Sequence, residues 1–365
     1  MGGLDFSKLS KLNIDIPFFT PQQLTVGLDI GSHAIKICLL SETSKGYQIL
    51  KVGSAMLPPN SVEDGVLQDA EAVSRAISIL IKNLGLKGKK IAISISGYSV
   101  IVKKINLATM SSEELDSHIQ AEAEQYIPFD IDDVYLDYQD LHTNTDEEDR
   151  TDVMLVAAKK DVVDKYLEML KSIGLNTIIV DVDAFALENA YGVNFGTEGN
   201  IVLVDIGASK MNINIVSEGT SVLARDVVLG SRMLTEQIQN TFDLTFDEAE
   251  ALKIGLTAPG DRQQSLEDIF TNTCIQWVTE VKRALDFYYS NYPDDTINKI
   301  VLSGGGAKVK GIAQLFTEET GIKTEIFGPF TRAKADKDKI DPDYLKQIGP
   351  EMALSTGLAT RSTIL

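Results

Sequence analysis

The sequence has little cysteine, little histidine and no long hydrophobic run. Cys38 and Cys274 are the two cysteines among 365 residues, which excludes a disulfide framework or a CxxC metal pair and favours a reducing compartment. His33, His118 and His142 are isolated and show no HExxH spacing, which gives a zinc enzyme little support. No apolar run approaches the roughly 18 residues of a membrane span, and no signal sequence precedes the first strand. A cytoplasmic protein is therefore expected.

Basic residues are scarce relative to acidic ones. The chain has 34 lysines and arginines against 53 aspartates and glutamates, a formal net charge of −19. This surplus repels nucleic-acid phosphates and anionic lipid, so no nucleic-acid partner and no broad adhesion to a membrane are predicted. From the sequence alone, two segments can each be interpreted in two ways. Residues 1–24 form either a mobile or folded-back arm or a short amphipathic contact, and the acidic run 146–149 is either a solvated hairpin tip or a docking surface.

Strand and helix patterns alternate along the chain, which indicates an α/β fold. Apolar patterns predict a strand pair at 25–40, strands at 47–56 and 91–96, and a helix at 70–84. Between 98 and 160 the order changes to strand 100–107, helix 112–126, strand 134–141 and strand 153–158. Ser111 and Glu114 form a capping box that predicts the start of the helix in this unit.

A short motif occurs twice, about half the chain apart. Asp29 to Gly31 and Asp205 to Gly207 both read Asp-Ile-Gly, and each lies between two apolar strands. Glycine at this place lets backbone N–H groups converge on an anion, and the aspartate can hold Mg²⁺ directly or through water. Lys36 can reach a phosphate as a point charge. One Asp-x-Gly is an ordinary turn, but two copies in matching positions predict two related halves with a cleft between them.

A glycine-rich segment follows the apolar strand 300–303. Gly304, Gly305 and Gly306 lead through Lys308 into a helix predicted over 309–320. The spacing fits neither a Rossmann fingerprint nor a P-loop. The segment is therefore either a backbone that lies flat against a planar or phosphate group, or a tight strand-to-helix turn.

These three motifs, in this order, resemble those of the actin-like ATPase superfamily, which includes actin, Hsp70, sugar kinases, FtsA and PilM. Segments beginning at Asp183 and Ala353 resemble its two connecting helices. The resemblance implies an α/β, duplicated ribonuclease H-like fold with two lobes around a nucleotide cleft. The implied division is an N-terminal arm at 1–24, subdomain 1A at 25–97 and 161–198, an inserted FtsA-type 1C subdomain at 98–160, subdomain 2A at 199–230 and 296–365, and subdomain 2B at 231–295.

The resemblance also implies which residues bind ATP or ADP with Mg²⁺. Nucleotide binding is assigned to Asp29, Gly31, Ser32, His33, Lys36, Asp205, Gly207, Ala208, Ser209, Lys210, Glu250, Lys253, Gly304, Gly305, Gly306 and Lys308. Asp29 and Asp205 would hold Mg²⁺, and Asp183 is a weak candidate for catalysis. Glu250 and Lys253 match a nucleoside-contacting Ala-Glu-x-x-Lys pattern, although from the residues alone Glu250 could equally face solvent.

One departure from the superfamily pattern bears on catalysis. Lys210 and Met211 stand where hydroxyl residues usually follow the second aspartate. Hydrolysis needs a polar group that aligns water with the terminal phosphate, so the expected activity is ATP binding with weak or absent hydrolysis.

Within the superfamily, the chain is most similar to the PilM family. The 98–160 unit resembles the 1C subdomain of FtsA and PilM, which actin, Hsp70 and sugar kinases lack. Tyr126 to Phe129 and Leu136 to Tyr138 match PilM patterns. The membrane-binding helix that FtsA carries has no counterpart after Gly357. The resemblance implies an adaptor at the cytoplasmic face of the inner membrane, in a type IV pilus or a related type II secretion system.

The implied partner is the cytoplasmic N-terminal peptide of the membrane protein PilN, held in a groove between 1A and 1C. Membrane association would then be indirect, PilO (indirectly) and pilus motor ATPases are further implied partners, and a homo-oligomer stays open. The predicted groove lining is Val100, Ile101, Tyr126, Ile127, Pro128 and Phe129, unless these residues pack the unit's own core. Two other functions stay open: an FtsA-like filament-forming cell-division or cytoskeletal protein, and a small-molecule kinase.

Overall fold

The computed structural model describes residues 25–43, 46–141, 150–336 and 338–361, so the predicted arm, His142 and the acidic run 146–149 lie outside the described residues. The strands are β1 (Val26–Ile30), β2 (Ala34–Thr43), β3 (Gly46–Met56), β4 (Val62–Glu63), β5 (Val66–Leu67), β6 (Lys90–Ile95), β7 (Val100–Ala108), β8 (Val134–Asp140), β9 (Arg150–Lys159), β10 (Asn176–Val182), β11 (Asn200–Ile206), β12 (Met211–Ser217), β13 (Thr220–Val227), β14 (Lys299–Ser303), β15 (Thr324–Ile326) and β16 (Lys334–Ala335). The helices are α1 (Ala70–Leu84), α2 (Ser112–Ala123), α3 (Lys160–Ser172), α4 (Asp183–Phe195), α5 (Arg232–Phe242), α6 (Phe246–Lys253), α7 (Gln263–Asn291), α8 (Ile312–Thr320), α9 (Pro342–Ile348) and α10 (Ala353–Ala359).

Two large sheets share one plan. Lobe 1 is built on the six-stranded sheet β10-β6-β1-β2-β3-β16, and lobe 2 on the five-stranded sheet β13-β12-β11-β14-β15. In each lobe an antiparallel meander is extended by parallel strands, β6 and β10 in lobe 1 and β14 and β15 in lobe 2. Each Asp-Ile-Gly copy lies at the turn of the first hairpin of its meander. The predicted duplication of an α/β unit is therefore confirmed.

Local signals set the elements that carry these sheets. Helix α1 begins where the Asp69 side chain accepts a hydrogen bond from Ala72 N at 2.9 Å, and it ends at Gly85 in the left-handed conformation. Its buried face packs on lobe 1 through Val73, Ile77 and other apolar residues. The helix covers the residues predicted from the sequence.

Helices α4 and α10 cross between the two sheets and bring them close together. A Cβ at Gly357 of α10 would lie 2.6 Å from the carbonyl carbon of Ala186 in α4 and 3.1 Å from Ala190 N. A Cβ at Gly27 of β1 would lie 2.6 Å from Ala359 N. These distances are shorter than van der Waals contact, so glycine is required for the close approach.

A smaller unit, β7-β9-β8 with α2, has its own apolar core. The strand-helix-strand-strand order is the predicted one, and the predicted capping box of Ser111 and Glu114 is present. Helix α2 ends at Ala123 rather than near Tyr126, because a tight turn follows in which Tyr126 N and Ile127 N both donate to the Ala123 carbonyl. Leu115 and Leu155 are buried between the helix and the sheet.

The core of lobe 2 surrounds the single tryptophan. Trp277 on the long helix α7 is fully buried and packs with Phe316 of α8 and the apolar residues of β11 and β12. Cys38 and Cys274 are free and buried in different lobes, in agreement with the absence of a disulfide framework. Within the described ranges, none of the helices has the length and apolar character needed to cross a membrane.

Candidate functional site

The cleft between the lobes holds a cavity of about 370 Å³, a volume within the usual range of about 300–1,000 Å³ for small-molecule sites. All but one of the predicted nucleotide-binding residues line it, namely Asp29, Gly31, Ser32, His33, Lys36, Asp205, Gly207, Ala208, Ser209, Lys210, Glu250, Lys253, Gly304, Gly305 and Lys308. Asp183 lines it as well. Gly306 does not, because it packs against Ile206, where an added Cβ would lie 2.7 Å from the Ile206 Cβ.

The two Asp-Ile-Gly turns meet across the cleft. Gly31 N donates to Ala34 O at 3.1 Å, and Gly207 N donates to Lys210 O at 2.9 Å, so both turns are closed in the same way. Ser209 Oγ donates to Ser32 Oγ at 2.9 Å, which joins the tips of the turns. A ligand that enters between them therefore contacts both lobes at once.

Asp29 of the first turn is paired within its own hairpin. Asp29 and Lys36 are cross-strand partners, and Lys36 Nζ lies 3.0 Å from Asp29 Oδ2. Burial raises the pKa of the Asp29 carboxyl above its usual value, although the Lys36 ammonium acts in the opposite direction. Burial works against the charged form of Lys36, but Asp29 and Asp205 outweigh it and raise the pKa of the lysine. Lys36 therefore stays protonated beside Asp29.

Asp205 of the second turn is a more isolated carboxylate. Its cross-strand partner is Asn212 rather than a lysine, and Oδ1 accepts a hydrogen bond from Ser303 Oγ at 2.8 Å. Burial raises the pKa of Asp205 to about 6, and the negative charge of Asp29 adds to the shift. A buried carboxylate beside a second negative charge forms an environment that favours a cation.

Asp183 is fully engaged by its neighbours. Ser94 Oγ donates to Oδ1 at 2.6 Å, Ser96 Oγ donates to Oδ2, and Lys210 Nζ lies 3.2 Å from Oδ2. Burial alone would raise the pKa of Asp183, but the Lys210 ammonium and the serine hydroxyls outweigh it and hold the pKa below its usual value. A carboxylate held ionised with both oxygens occupied is a poor acceptor for a proton from water.

A second polar cluster lines the same cavity. Lys253 is buried, and its Nζ contacts Glu250 at 2.5 Å and Thr235 Oγ1 at 2.9 Å. Thr235 Oγ1 also donates to Glu250. Burial lowers the pKa of Lys253 despite the Glu250 carboxylate. Glu250 thus faces the cleft and is not the solvent-facing helix residue of the alternative interpretation.

The glycine-rich segment differs in detail from its predicted form. Gly304 has a φ of +81° and lies so close to Ile206 that an added Cβ would be 2.7 Å from the Ile206 carbonyl carbon. A short 3-10 turn follows at Gly305–Lys308, and helix α8 begins at Ile312, three residues later than predicted. The later start follows from Gly311, whose φ of +89° is incompatible with a helix interior.

Several residues at the cleft were not found by sequence reasoning. Arg232 donates to the Ser32 carbonyl oxygen at 3.2 Å, and the rings of His33 and Phe246 lie 5.6 Å apart across the cleft. Ser94 and Ser96 bind Asp183 from the end of β6. A serine at the carboxyl end of a buried strand was the available signal, since ligands bind outside these strand ends in α/β folds.

Comparison with known proteins assigns the family. The family profile described as Type IV pilus assembly protein PilM matches residues 27–363. The chain belongs to the PilM family. Cell division protein FtsA of Borreliella burgdorferi is a more distant relative, 22% identical over 90% of each chain.

Solved structures support the PilM fold. The PilM-PilN type IV pilus biogenesis complex is similar with a TM-score of 0.80 and 25% identity, over 93% of this chain and 98% of that one. MreB5 of Spiroplasma citri bound to ADP is similar with a TM-score of 0.50 and 13% identity, over 92% and 95%. The two-lobed actin-like fold predicted from the three motifs is confirmed.

Five of the six residues predicted to line a PilM partner groove pack in or against an apolar core, and the sixth, Pro128, is exposed. Ile127 is buried in the core of the three-stranded unit, and Ile101, Tyr126 and Phe129 pack against that core. Val100 packs against the core of lobe 1. Lys103 and Lys159 cover the rings of Tyr126 and Phe129 at 4.8 and 4.4 Å. These contacts agree with the alternative interpretation, in which the segment stabilises its own unit.

A groove of about 860 Å³ lies on the other side of the small sheet of this PilM chain. We call it the β8–β10 groove; it is lined by residues of β8, β9, β10, α3 and α4, by Ile95 and Leu141, by the start of β13 and by Arg361. Both β8 and β10 are outer strands of their sheets. Among the described residues, Glu188 Oε2 and Asn189 Nδ2 are buried in its wall without a hydrogen-bond partner. The six predicted residues do not line it.

Proposed function

We propose that this chain is an ATP-binding adaptor of the type IV pilus, or of a related type II secretion system, that holds the cytoplasmic N-terminal peptide of PilN. The observation that carries the nucleotide part is the cleft, where two joined Asp-Ile-Gly turns and the Gly304 turn line one cavity. Backbone N–H groups of such turns form anion-binding concavities. MreB5, which shares the fold, was solved with ADP.

Mg²⁺ fits the donor set of this cleft. Asp29 and Asp205 offer hard oxygen ligands, and the pKa of Asp205 is raised because burial outweighs the Ser303 hydrogen bond and the charge of Lys36. Among the described residues no group of three or more histidine, cysteine or acidic side chains could hold a metal by itself. The ion would therefore be bound together with nucleotide phosphates, where it would neutralise their charge.

The expected hydrolysis is weak or absent. A catalytic water needs an acceptor aligned with the terminal phosphate, and Asp183 is the candidate for that role. Each of its two oxygens accepts a hydrogen bond from a serine hydroxyl, that of Ser94 or that of Ser96. The nucleotide then acts by joining the lobes rather than by turnover.

The β8–β10 groove is the proposed peptide site. It lies between the unit at 98–160, which we propose as an inserted 1C subdomain, and lobe 1. Outer strands offer unpaired backbone groups to an extended peptide, and side chains such as Leu136 and Val180 offer apolar contact. Glu188 Oε2 can accept and Asn189 Nδ2 can donate a hydrogen bond, which a peptide backbone complements. PilN is the partner in the similar solved complex.

A calorimetric titration tests this assignment. The protein with Mg·ATP is titrated with a synthetic peptide of the PilN cytoplasmic N-terminus, and micromolar or tighter binding, about 8 kcal/mol, is expected. Val180→Asp places a charge on the exposed outer strand of the groove and should weaken binding at least tenfold. The matched control is Ile326→Asp on β15, the exposed outer strand of the other sheet, which should leave binding unchanged.

Two results would contradict the adaptor proposal. If the peptide gives no heat of binding in a sample that binds ATP, the proposal that this chain holds the PilN peptide is wrong. Nucleotide-dependent polymerisation is then the next assay. Equal loss in both variants would place the peptide outside the β8–β10 groove. Thermal unfolding of each variant must remain cooperative for either result to count.

A further inference from the structure

Lys210 differs from the other lysines described in the cleft in where its carboxylate partner lies. The lysines that line it within the described ranges are Lys36, Lys210, Lys253 and Lys308, and each is paired with a carboxylate. The Lys36 pair lies within one hairpin, the Lys253 pair lies within α6, and Lys308 pairs with Glu351 of the turn before α10. Lys210 belongs to the turn between β11 and β12 of lobe 2, whereas its partner Asp183 opens α4 and is bound by Ser94 of β6 in lobe 1. This ion pair therefore joins the lobes.

Lys210 and Lys253 line the same cavity but pair with different neighbours. Lys253 pairs with Glu250 within α6, in the pattern predicted to contact the nucleoside. Lys210 belongs to the second Asp-Ile-Gly turn itself, and its side chain contacts Ser96 and Asp183. A phosphate chain that lies between the two turns can therefore be contacted by Lys210, which lines the same cavity. Its side chain is 21% exposed, so an incoming anion can reach it.

We propose that Lys210 recognises the terminal phosphate of a nucleoside triphosphate, and that Asp183 serves as its counter-ion while that phosphate is absent. The proposal rests on the proposed nucleotide site and deepens it by assigning preference for triphosphate over diphosphate to one side chain. Asp183 is a competitor of the phosphate for the ammonium group. A buried carboxylate stabilised by two serine hydroxyls keeps Lys210 charged and directed into the cleft without nucleotide.

This arrangement predicts opposite effects of two substitutions. Lys210→Met removes the ammonium but keeps much of the apolar stem, so it should weaken binding of a non-hydrolysable Mg·ATP analogue at least tenfold and binding of Mg·ADP less than threefold. Asp183→Asn keeps the shape but removes the competing charge, so it should strengthen binding of the analogue several-fold. A catalytic base would behave differently, since its loss would change turnover and leave affinity for the analogue as it is.

The experiment is a double-mutant cycle measured by calorimetry with the Mg·ATP analogue and with Mg·ADP. The gain in affinity for the analogue from Asp183→Asn should vanish in the Lys210→Met background, because the Asp183 carboxylate competes with the phosphate only if Lys210 binds the phosphate. The matched control is the exposed pair Lys282 and Glu319, joined at 2.9 Å outside the cleft. Lys282→Met should alter neither affinity. Lys210→Arg retains the charge and should restore much of the preference for triphosphate.

The outcomes separate this inference from the proposed function. If the unmodified protein binds neither nucleotide, the proposed nucleotide site is wrong. If it binds both, and Lys210→Met weakens both equally or Asp183→Asn weakens the analogue, the role assigned to Lys210 is overturned while nucleotide binding stands. Circular dichroism and thermal unfolding identify a variant that has lost its fold, and Lys210→Arg then supplies the comparison with Asp183→Asn.

Discussion

Gly357→Ala is expected to destabilise the protein although alanine is the better helix former. Gly357 lies within α10, where replacement of glycine by alanine normally stabilises by about 0.5–1 kcal/mol. The added methyl group would lie 2.6 Å from the carbonyl carbon of Ala186, against which α10 crosses α4. The neighbouring atoms belong to the backbone, which cannot rotate away as a flexible side chain can. The two helices must therefore separate.

The size of the effect follows from the packing around this crossing. Ala186, Ala190, Leu354 and Leu358 are buried there in one apolar cluster. Overpacking of a close-packed core costs about 1–3 kcal/mol, and a backbone clash places Gly357→Ala at the upper end of that range. After subtraction of the gain in helix propensity, a net loss of about 2 kcal/mol in the free energy of unfolding is expected.

Urea denaturation of Gly357→Ala beside Gly305→Ala measures this loss. A Cβ at Gly305 would meet nothing within 4 Å, and its φ is not positive, so Gly305→Ala should leave the denaturation midpoint nearly unchanged. Gly27→Ala, which affects the other side of the same helix, should resemble Gly357→Ala. A Gly357→Ala protein as stable as the unmodified one would refute the close approach of α4 and α10.

Two further predictions concern the cleft and the groove. Asp29→Ala and Gly305→Val should each lower Mg·ATP affinity at least tenfold, about 1.4 kcal/mol, in calorimetric titration of protein that unfolds cooperatively, and unchanged affinity would contradict the site. Burial raises the pKa of Glu188 to about 7 from its usual value of 4.5. The folded state then holds this proton more tightly, so the stability from Glu188 is complete below about pH 4.5 and is lost as the pH rises through about 7. Glu188→Gln should therefore gain stability relative to the unmodified protein between about pH 5 and pH 8, and parallel pH profiles would count against a buried carboxyl at this position.

Elements with local signals were predictable from the sequence. The repeated Asp-Ile-Gly turns, the caps of α1 and the capping box of α2 depend on residues a few positions apart, and the structure contains each of them. The start of α8 was predicted too early because apolar periodicity begins at Val309, while the backbone conformation of Gly311 delays the helix to Ile312. A positive φ leaves no trace in the hydrophobic pattern.

Contacts between lobes could not be predicted in the same way. Lys210 and Asp183 meet because α4 and the β11–β12 turn approach from different sheets, and no spacing in the sequence encodes that distance. The Tyr126 to Phe129 segment was assigned to a groove by family pattern, yet the fold of the small unit directs Ile127 into its own core. The sequence pattern identifies residue types suited to a surface or to a core, whereas the topology of the fold decides whether a given residue lies on the surface or in the core.

The two copies of the duplicated hairpin differ in the charge of the residue opposite the aspartate. At the same register after the Asp-Ile-Gly turn, lobe 1 has Lys36 opposite Asp29, whereas lobe 2 has Asn212 opposite Asp205, and Asn212 binds Asp226 at 3.1 Å. The lysine of the second copy stands in the turn itself, at Lys210, and reaches across to Asp183 of lobe 1. Asp29 thus has a cation within its hairpin, and Asp205 shares its hairpin with an amide. Because the uncompensated carboxylate gains most from a divalent ion, Asp205 should contribute more than Asp29 to Mg²⁺ affinity, and Asp205→Asn should raise the Mg²⁺ concentration needed for nucleotide binding more than Asp29→Asn does.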